Sequence, residues 1–219
     1  MLKGYDTSHH QTDDIFNYYL EIADFMIIKA TEGRTYKDPE FINRIEKIKH
    51  NLCGVYHYAR PENNSVVEEV KNFLSVVQPH LTDTMLIILD WEGNSINHPF
   101  TWALEWCSMV EEQIGRKPII YASASVIKKY ATQYSLWWTA HYNIECKNGC
   151  THDSVSELLT QYTNAPIDID IFHGSHNDWI RLCGNTTQNS NIVAEWTEGN
   201  KKYKVICEEV VSFECFKYN

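Results

Sequence analysis

Two carboxylates follow a short run of apolar residues near the middle of the sequence. Residues 85–92 read Met-Leu-Ile-Ile-Leu-Asp-Trp-Glu, and the apolar run predicts a strand that is buried on both faces and ends at Asp90. Asp90 and Glu92 are separated by one residue, so on an extended chain their side chains lie on the same side. Two acids held close together repel each other, which raises one pKa and keeps that acid protonated near neutral pH.

Such a pair suits the cleavage of a glycosidic bond. That reaction needs a proton donor for the leaving oxygen and a negative charge beside the oxocarbenium-like centre. The motif alone does not decide the matter, because a strand that ends in two solvated acids has the same pattern.

Other predicted strand ends add further acids and aromatic residues. In α/β barrels the carboxyl-terminal ends of the strands carry the active site, and sugar rings stack on aromatic side chains. Packing in the core is the alternative for each aromatic residue taken alone. The candidates are the acids Asp6, Glu32, Asp168 and Asp170 and the aromatic residues Tyr56, Tyr58, Tyr121, Trp138 and Tyr142.

Strand and helix signals alternate along residues 1–180. Asp38-Pro39 predicts the start of one helix, Ser65-x-x-Glu68 is a capping box for a second, and Gly115 is placed to end a third. Eight strand candidates in this order predict an α/β barrel. A dinucleotide-binding fold is disfavoured, because no Gly-rich turn follows the first strand.

The C-terminal segment has a different character. A polar stretch at residues 185–191 is followed by three segments that alternate as strands do, at 192–197, 203–208 and 211–217. We therefore predict a catalytic barrel over residues 1–180 and a small β-rich extension over 181–219. The extension is too small to fold alone, so we expect it to dock on the barrel or pair with another chain.

Composition limits the partners and cofactors. The formal net charge of −10 disfavours nucleic acid and anionic membranes as partners, and no apolar run is long enough to enter a bilayer. The seven cysteines are an odd number in a chain without an evident export signal, which favours free thiols. Cys146 and Cys150 could be read as part of a zinc site, but their spacing lies outside the tightest ligand patterns. We predict no metal and no cofactor.

The motifs that contain the candidate acids and aromatic residues resemble those of glycoside hydrolase family 25, the N-acetylmuramidase lysozymes. The opening motif is Gly-Tyr-Asp-Thr-Ser-His-His-Gln at residues 4–11. The motifs that follow in the family's order lie at residues 27–33, 38–43, 54–59, 89–92, 120–121, 138–142, 161–163 and 168–174. Thr12 is a departure, since the family often has Gly there.

The resemblance implies a shortened (β/α)5β3 barrel that cleaves the β-1,4 bond between N-acetylmuramic acid and N-acetylglucosamine. It implies that Glu92 is the general acid/base and that Asp90 orients the 2-acetamido group in a substrate-assisted retaining mechanism. Asp6 and Asp168 match the other acids of the catalytic cup; the sequence alone does not show whether Asp168 or Asp170 faces inward, but the register of the motif favours Asp168. The positions that match the sugar groove are Tyr58, Tyr121, Trp138 and Gln161, to which we add Tyr56, Asp170 and Glu32.

Two other functions remain open from the sequence. The same fold could be an inactive saccharide-binding or phage structural module, although the intact Asp90 and Glu92 disfavour it. A chitinase is less favoured, because Ile88 occupies the position where a further Asp is expected. The resemblance and the missing export signal together predict a phage endolysin, made in the host cytoplasm and released to act on peptidoglycan outside it. Its C-terminal extension would then bind the wall or form oligomers.

Overall fold

The structure is a computed structural model that describes residues 1–142, 157–164, 167–184, 191–198 and 201–207. The chain divides into two compact units, Met1–Gly184 and Asn185–Asn219. The described strands of the first unit are β1 (Leu2–Thr7), β2 (Phe25–Glu32), β3 (Tyr36–Lys37), β4 (Leu52–Tyr58), β5 (Met85–Asp90), β6 (Ile119–Ser123), β7 (Trp137–Ala140), β8 (Glu157–Asn164) and β9 (Asp168–Phe172). Its described α-helices are α1 (Asp13–Ile22), α2 (Phe41–Ile48), α3 (Val66–Val77), α4 (Phe100–Ile114), α5 (Ala124–Tyr130) and α6 (His176–Leu182).

Eight of the described strands close into a barrel in the order β1-β2-β4-β5-β6-β7-β8-β9, and β1 pairs with both β2 and β9. Around the barrel from β1 to β8, each strand is parallel to the next one in this order. Strand β9 closes the barrel and runs antiparallel to both β8 and β1. A helix follows each of the first five barrel strands, and the two-residue β3 pairs with β2 before α2. The predicted mixed α/β barrel is confirmed. Residues 143–156, between β7 and β8, lie outside the described residues.

The local signals in the sequence fix several helix ends. The capping box at Ser65 is present in both directions, and Gly115 ends α4 in the left-handed conformation with φ 77°. Thr12, the departure from the family motif, caps α1 by accepting a hydrogen bond from the Ile15 amide. The start of α2 differs from the prediction. The helix begins at Phe41, and Asp38 caps the turn that precedes it by accepting a hydrogen bond from the Glu40 amide.

Alternation along the strands divides the apolar residues into two layers. On β5, Ile87 and Leu89 face the helices, whereas Leu86 and Ile88 fill the barrel interior. The interior layer also contains Phe25, Ile27, Leu52, Ile119, Tyr121, Trp138, Leu159, Phe172 and Trp179. Because interior side chains succeed one another every second residue, the same alternation turns Asp90 inward at the end of β5.

Two glycines make room for this interior layer. A Cβ atom at Gly4 would lie 2.3 Å from the Phe25 ring, and one at Gly54 would lie 3.0 Å from Ile27. Both glycines are on barrel strands, β1 and β4. The missing side chains therefore allow large residues of β2 to fill the interior beneath the acidic end.

The second unit contains two described strands, β10 (Asn191–Glu198) and β11 (Lys201–Cys207). They pair antiparallel from Asn191↔Cys207 to Glu198↔Lys201, with an irregularity between Ile192 and Ala194. These strands correspond to the first two predicted in the extension. The third, at 211–217, and residues 199–200 lie outside the described residues.

Cys53, Cys107 and Cys183 of the first unit are buried, free thiols. Burial raises the pKa of Cys53 to about 11 and those of Cys107 and Cys183 to about 12, so these thiols stay protonated at neutral pH. Cys146 and Cys150 lie outside the described residues. Within the part of the chain that is described, no helix has the length and apolar character needed to cross a bilayer.

Candidate active site

The carboxyl-terminal ends of the parallel strands bring the predicted acids together. Asp90 ends β5, and Glu92 follows it at the start of a short 3-10 turn. Asp6 lies near the end of β1, directly opposite Asp168, the first residue of the antiparallel strand β9. Strand β9 therefore enters the barrel at the same end where β1 and β5 leave it, and all four acids reach one mouth.

A cavity of about 190 Å³ lies at this mouth. All four predicted catalytic acids line it, together with four of the predicted sugar-contacting residues and Tyr142. The lining residues are Asp6, Tyr56, Asp90, Glu92, Tyr121, Trp138, Tyr142, Gln161 and Asp168. The combination of carboxyl groups and aromatic rings is the chemistry that the sequence predicted for a saccharide site.

Three predicted site residues lie outside this lining. Asp170 is completely buried, and its Oδ1 accepts a hydrogen bond of 2.9 Å from the Trp138 indole. Tyr58 lies next to the cavity, because it pairs with Asp90 across β4 and β5. Burial and then the charges of Asp90 and Glu92 raise its pKa to about 12. Glu32 is held in ion pairs of 2.6 Å by Lys29 and by Arg60.

The structure separates Asp168 from Asp170 by depth. Both side chains are on the inward face of β9, because they are two residues apart. Asp168 pairs with Asp6 at the mouth, whereas Asp170 pairs with Gly4 one step deeper in the barrel. Asp168 is therefore the one that lines the cavity.

Burial and mutual repulsion keep protons in the acidic cavity. Burial and then the charge of Asp168 raise the pKa of Asp6 to about 8. The pKa of Asp90 rises well above its ordinary value because of burial and then the charge of Glu92. The pKa of Glu92 rises because of burial and then the charge of Asp168, and burial also raises that of Asp168. At neutral pH the cluster therefore holds protons that solvated acids would have lost.

One functional residue was missed by the sequence reasoning. Lys29 on β2 is 8% exposed, and its ammonium group lies 5.0 Å from the centre of the Tyr58 ring. Its positive charge lowers the pKa values of Asp90 and Glu92, against the effect of burial. A signal was present, because a lysine in the middle of an apolar strand is costly unless acids surround it.

A second cavity, of about 460 Å³, lies at the opposite end of β1, β2 and β4. Asp24 is the single acid among its lining residues, and the Asp24 carboxylate accepts a hydrogen bond from the Lys3 amide. The larger cavity thus lacks the cluster of acids and aromatic rings. Across the described residues there is also no group of three or more His, Cys, Asp or Glu side chains arranged to hold a metal ion.

Comparison with known proteins agrees with this geometry. The sequence profile described as Glycosyl hydrolases family 25 matches residues 5–171. The chain belongs to this family. The match covers all or part of every barrel strand and all the acids of the cavity, so the predicted family is confirmed.

Individual relatives of this chain show how much of each sequence is similar. The Escherichia coli K12 protein YegX is 30% identical over 168 residues, which cover 69% of this chain and 60% of YegX. This chain therefore spans about 60% of the length of its E. coli relatives. An N,O-diacetylmuramidase of Chalaropsis is 26% identical over 183 residues, which cover 75% of this chain and 80% of that enzyme.

A solved structure has the same fold. The family 25 lysozyme of Aspergillus fumigatus superposes with a TM-score of 0.69 at 23% identity, covering 83% of this chain and 98% of the other. The shared fold is the closed barrel with its surrounding helices.

Proposed function

We propose that this protein is a peptidoglycan hydrolase that cleaves the β-1,4 bond between N-acetylmuramic acid and N-acetylglucosamine. The observation that carries the proposal is the cavity where Asp6, Asp90, Glu92 and Asp168 meet beside aromatic side chains. Membership of family 25 and the similarity to an N,O-diacetylmuramidase support the choice of substrate.

Glu92 is the proposed general acid. It follows β5 at the mouth of the barrel, and burial and the charge of Asp168 raise its pKa. An acid that keeps its proton near neutral pH can donate it to the glycosidic oxygen as the leaving sugar departs. Once ionised, the same group can take a proton from the water that completes hydrolysis.

Asp90 is the proposed partner of the substrate's 2-acetamido group. Its Oδ1 is buried and has no hydrogen-bond partner in the described part of the structure, so an N–H group of the substrate would satisfy it. A carboxylate that accepts this hydrogen bond orients the acetamide oxygen for attack on the anomeric carbon, which gives retention through substrate assistance. Lys29 favours the ionised form of Asp90 that this step requires.

Asp6 and Asp168 complete the acidic cavity. The charge of Asp168 raises the pKa values of both Asp6 and Glu92, which helps to keep a proton on the general acid. Tyr121 and Trp138 form a T-shaped pair with ring centres 4.6 Å apart, and both line the cavity. Their apolar surfaces suit the C–H faces of a sugar ring.

Digestion of purified bacterial cell walls tests the proposal. The released fragments are reduced with borohydride and identified by mass spectrometry. New reducing ends on N-acetylmuramic acid would support the muramidase proposal. Reducing ends on N-acetylglucosamine would show that the other glycosidic bond of the glycan is cleaved. Wall binding without any cleavage would favour a binding module instead.

The wall contact of residues 185–219 and the phage role go beyond these observations. We propose that the second unit contacts the wall, since it forms a compact unit of its own that includes a β-hairpin. The full chain and a chain that ends at Gly184 should then differ in sedimentation with purified walls. Equal binding of the two chains would contradict the wall contact. The endolysin role and release to the wall remain predictions from the sequence.

A further inference from the structure

Gln161 lies at the centre of a chain of polar side chains that joins three barrel strands. Gln161 is on β8. Its Oε1 is 2.7 Å from the hydroxyl of Tyr121 on β6 and 2.9 Å from the Tyr142 hydroxyl. Its Nε2 is 2.6 Å from Oδ2 of Asp6 on β1. The Gln161 side chain is 4% exposed, so water competes little for these contacts.

The donors and acceptors in this chain determine the direction of each hydrogen bond. An amide oxygen only accepts, so both phenols donate to Oε1 of Gln161 and occupy its two lone pairs. The amide nitrogen then faces Asp6 and donates to Oδ2. A carboxyl oxygen that accepts from an N–H group is favoured in its ionised form.

We propose that Gln161 is a positioning residue, whose amide is locked by Tyr121 and Tyr142 and fixes the position of the Asp6 carboxyl group in the cavity. The inference rests on the proposed function, because its consequence concerns the general acid. Asp6 and Glu92 repel each other when both are charged. Asp6 also faces Asp168 and Asp170 of β9, so its placement affects how the acids beside Glu92 share their protons.

This role differs from the sugar contact that the sequence predicted for Gln161. A residue that only binds sugar affects KM, and its loss leaves the ionisation of the acids unchanged. A residue that holds Asp6 affects kcat and the pH dependence. Two measurements therefore separate the roles: the contact with Asp6 is tested in the free protein, and its consequence is tested during wall hydrolysis.

The contact itself is tested by NMR on the full chain labelled with ¹⁵N-glutamine. The Gln161 side-chain signals are identified as those lost in Gln161→Met. We expect one Gln161 amide proton to resonate downfield of exposed glutamine amides, and to move upfield in Asp6→Asn. Gln161 signals in the ordinary range that do not respond to Asp6→Asn would overturn the proposal.

The consequence is tested by the rate of wall hydrolysis as a function of pH. Gln161→Met should lower kcat by about 3- to 10-fold, the worth of one buried hydrogen bond, with little change in KM. Without the amide, whose hydrogen bond lowers the pKa of Asp6, this acid keeps its proton to higher pH, so the limb of the pH profile that depends on Asp6 should shift upward. Gln133→Met, at an exposed position, is the matched control.

A raised KM with an unchanged pH profile would overturn the positioning role in favour of a sugar contact. If the wild-type protein releases no reducing ends, the proposed function fails, whereas the NMR result still decides whether Gln161 holds Asp6.

Discussion

Replacing Asp6 by Asn should make the protein more stable at neutral pH. Asp6 is 7% exposed, and burial together with Asp168 raises its pKa from 3.8 to about 8. The unfolded chain releases this proton near the ordinary value of an aspartate, whereas the folded chain holds it to about pH 8. Stability is therefore lost as the pH rises between these two values, and an amide, which stays neutral, avoids this loss.

The size of the effect follows from the pKa shift. Each pH unit between the two pKa values contributes at most ~1.4 kcal/mol, so the ceiling from about pH 4 to about pH 7 is ~4 kcal/mol. Because neighbouring acids share the protons, we expect about a third to a half of this, ~1–2 kcal/mol. In a chain of this size that corresponds to a melting temperature higher by about 3–6 °C.

Thermal unfolding followed by circular dichroism at about pH 4 and about pH 8 measures the effect. Asp6→Asn should match the wild-type melting temperature at the lower pH and exceed it at the higher. The Asn carbonyl can still accept from Gln161, so the contact at 2.6 Å is kept. Glu21→Gln, at an exposed position on α1, is the control. An Asp6→Asn variant that is less stable than the wild type by the same amount at both pH values would refute the reasoning.

Three further changes test other parts of the structure. Lys29→Met removes the positive charge that lowers the pKa values of Asp90 and Glu92, so the pH profile of wall hydrolysis should shift upward by about one unit; an unchanged profile would contradict this. Gly93→Ala should lower the melting temperature, through a loss of ~1–3 kcal/mol, because Gly93 has φ 58° and a Cβ there would lie 2.7 Å from the Tyr58 hydroxyl. Wild-type stability of that variant would show that the turn can relax. Raising the salt concentration from about 0.05 to about 0.2 M should leave wall hydrolysis unchanged or faster, because screening weakens repulsion between anionic wall polymers and a chain of net charge −10; steep inhibition would contradict this.

Local sequence signals predicted the elements that depend on few neighbours. The apolar run 85–89 predicted β5 and placed Asp90 at its end, and Ser65 and Gly115 marked helix ends that the structure retains. The helix α1 was not predicted. Three of its apolar residues are exposed, which obscures the helical pattern that burial would produce; they are Ile15, Tyr18 and Ile22.

Features that depend on the pairing of distant strands were beyond the sequence. The choice between Asp168 and Asp170 depends on the antiparallel direction of β9, which sets their depth. The adjacent Trp137 and Trp138 face opposite layers; the resemblance placed Trp138 in the groove, but no local pattern separates the two residues. The contact between Gln161 and Asp6 joins residues 155 positions apart in the chain, so no local pattern indicates it.

The central claim is that Glu92 in the acidic cavity donates the proton that cleaves the glycan. The most direct test compares the initial rate at which the wild type and Glu92→Gln release reducing ends from purified cell walls. The amide keeps the size of the side chain but cannot donate an acidic proton, so the rate should fall by about 10²- to 10⁴-fold while wall binding and melting temperature are retained. A Glu92→Gln variant that keeps most of the wild-type rate would contradict the account.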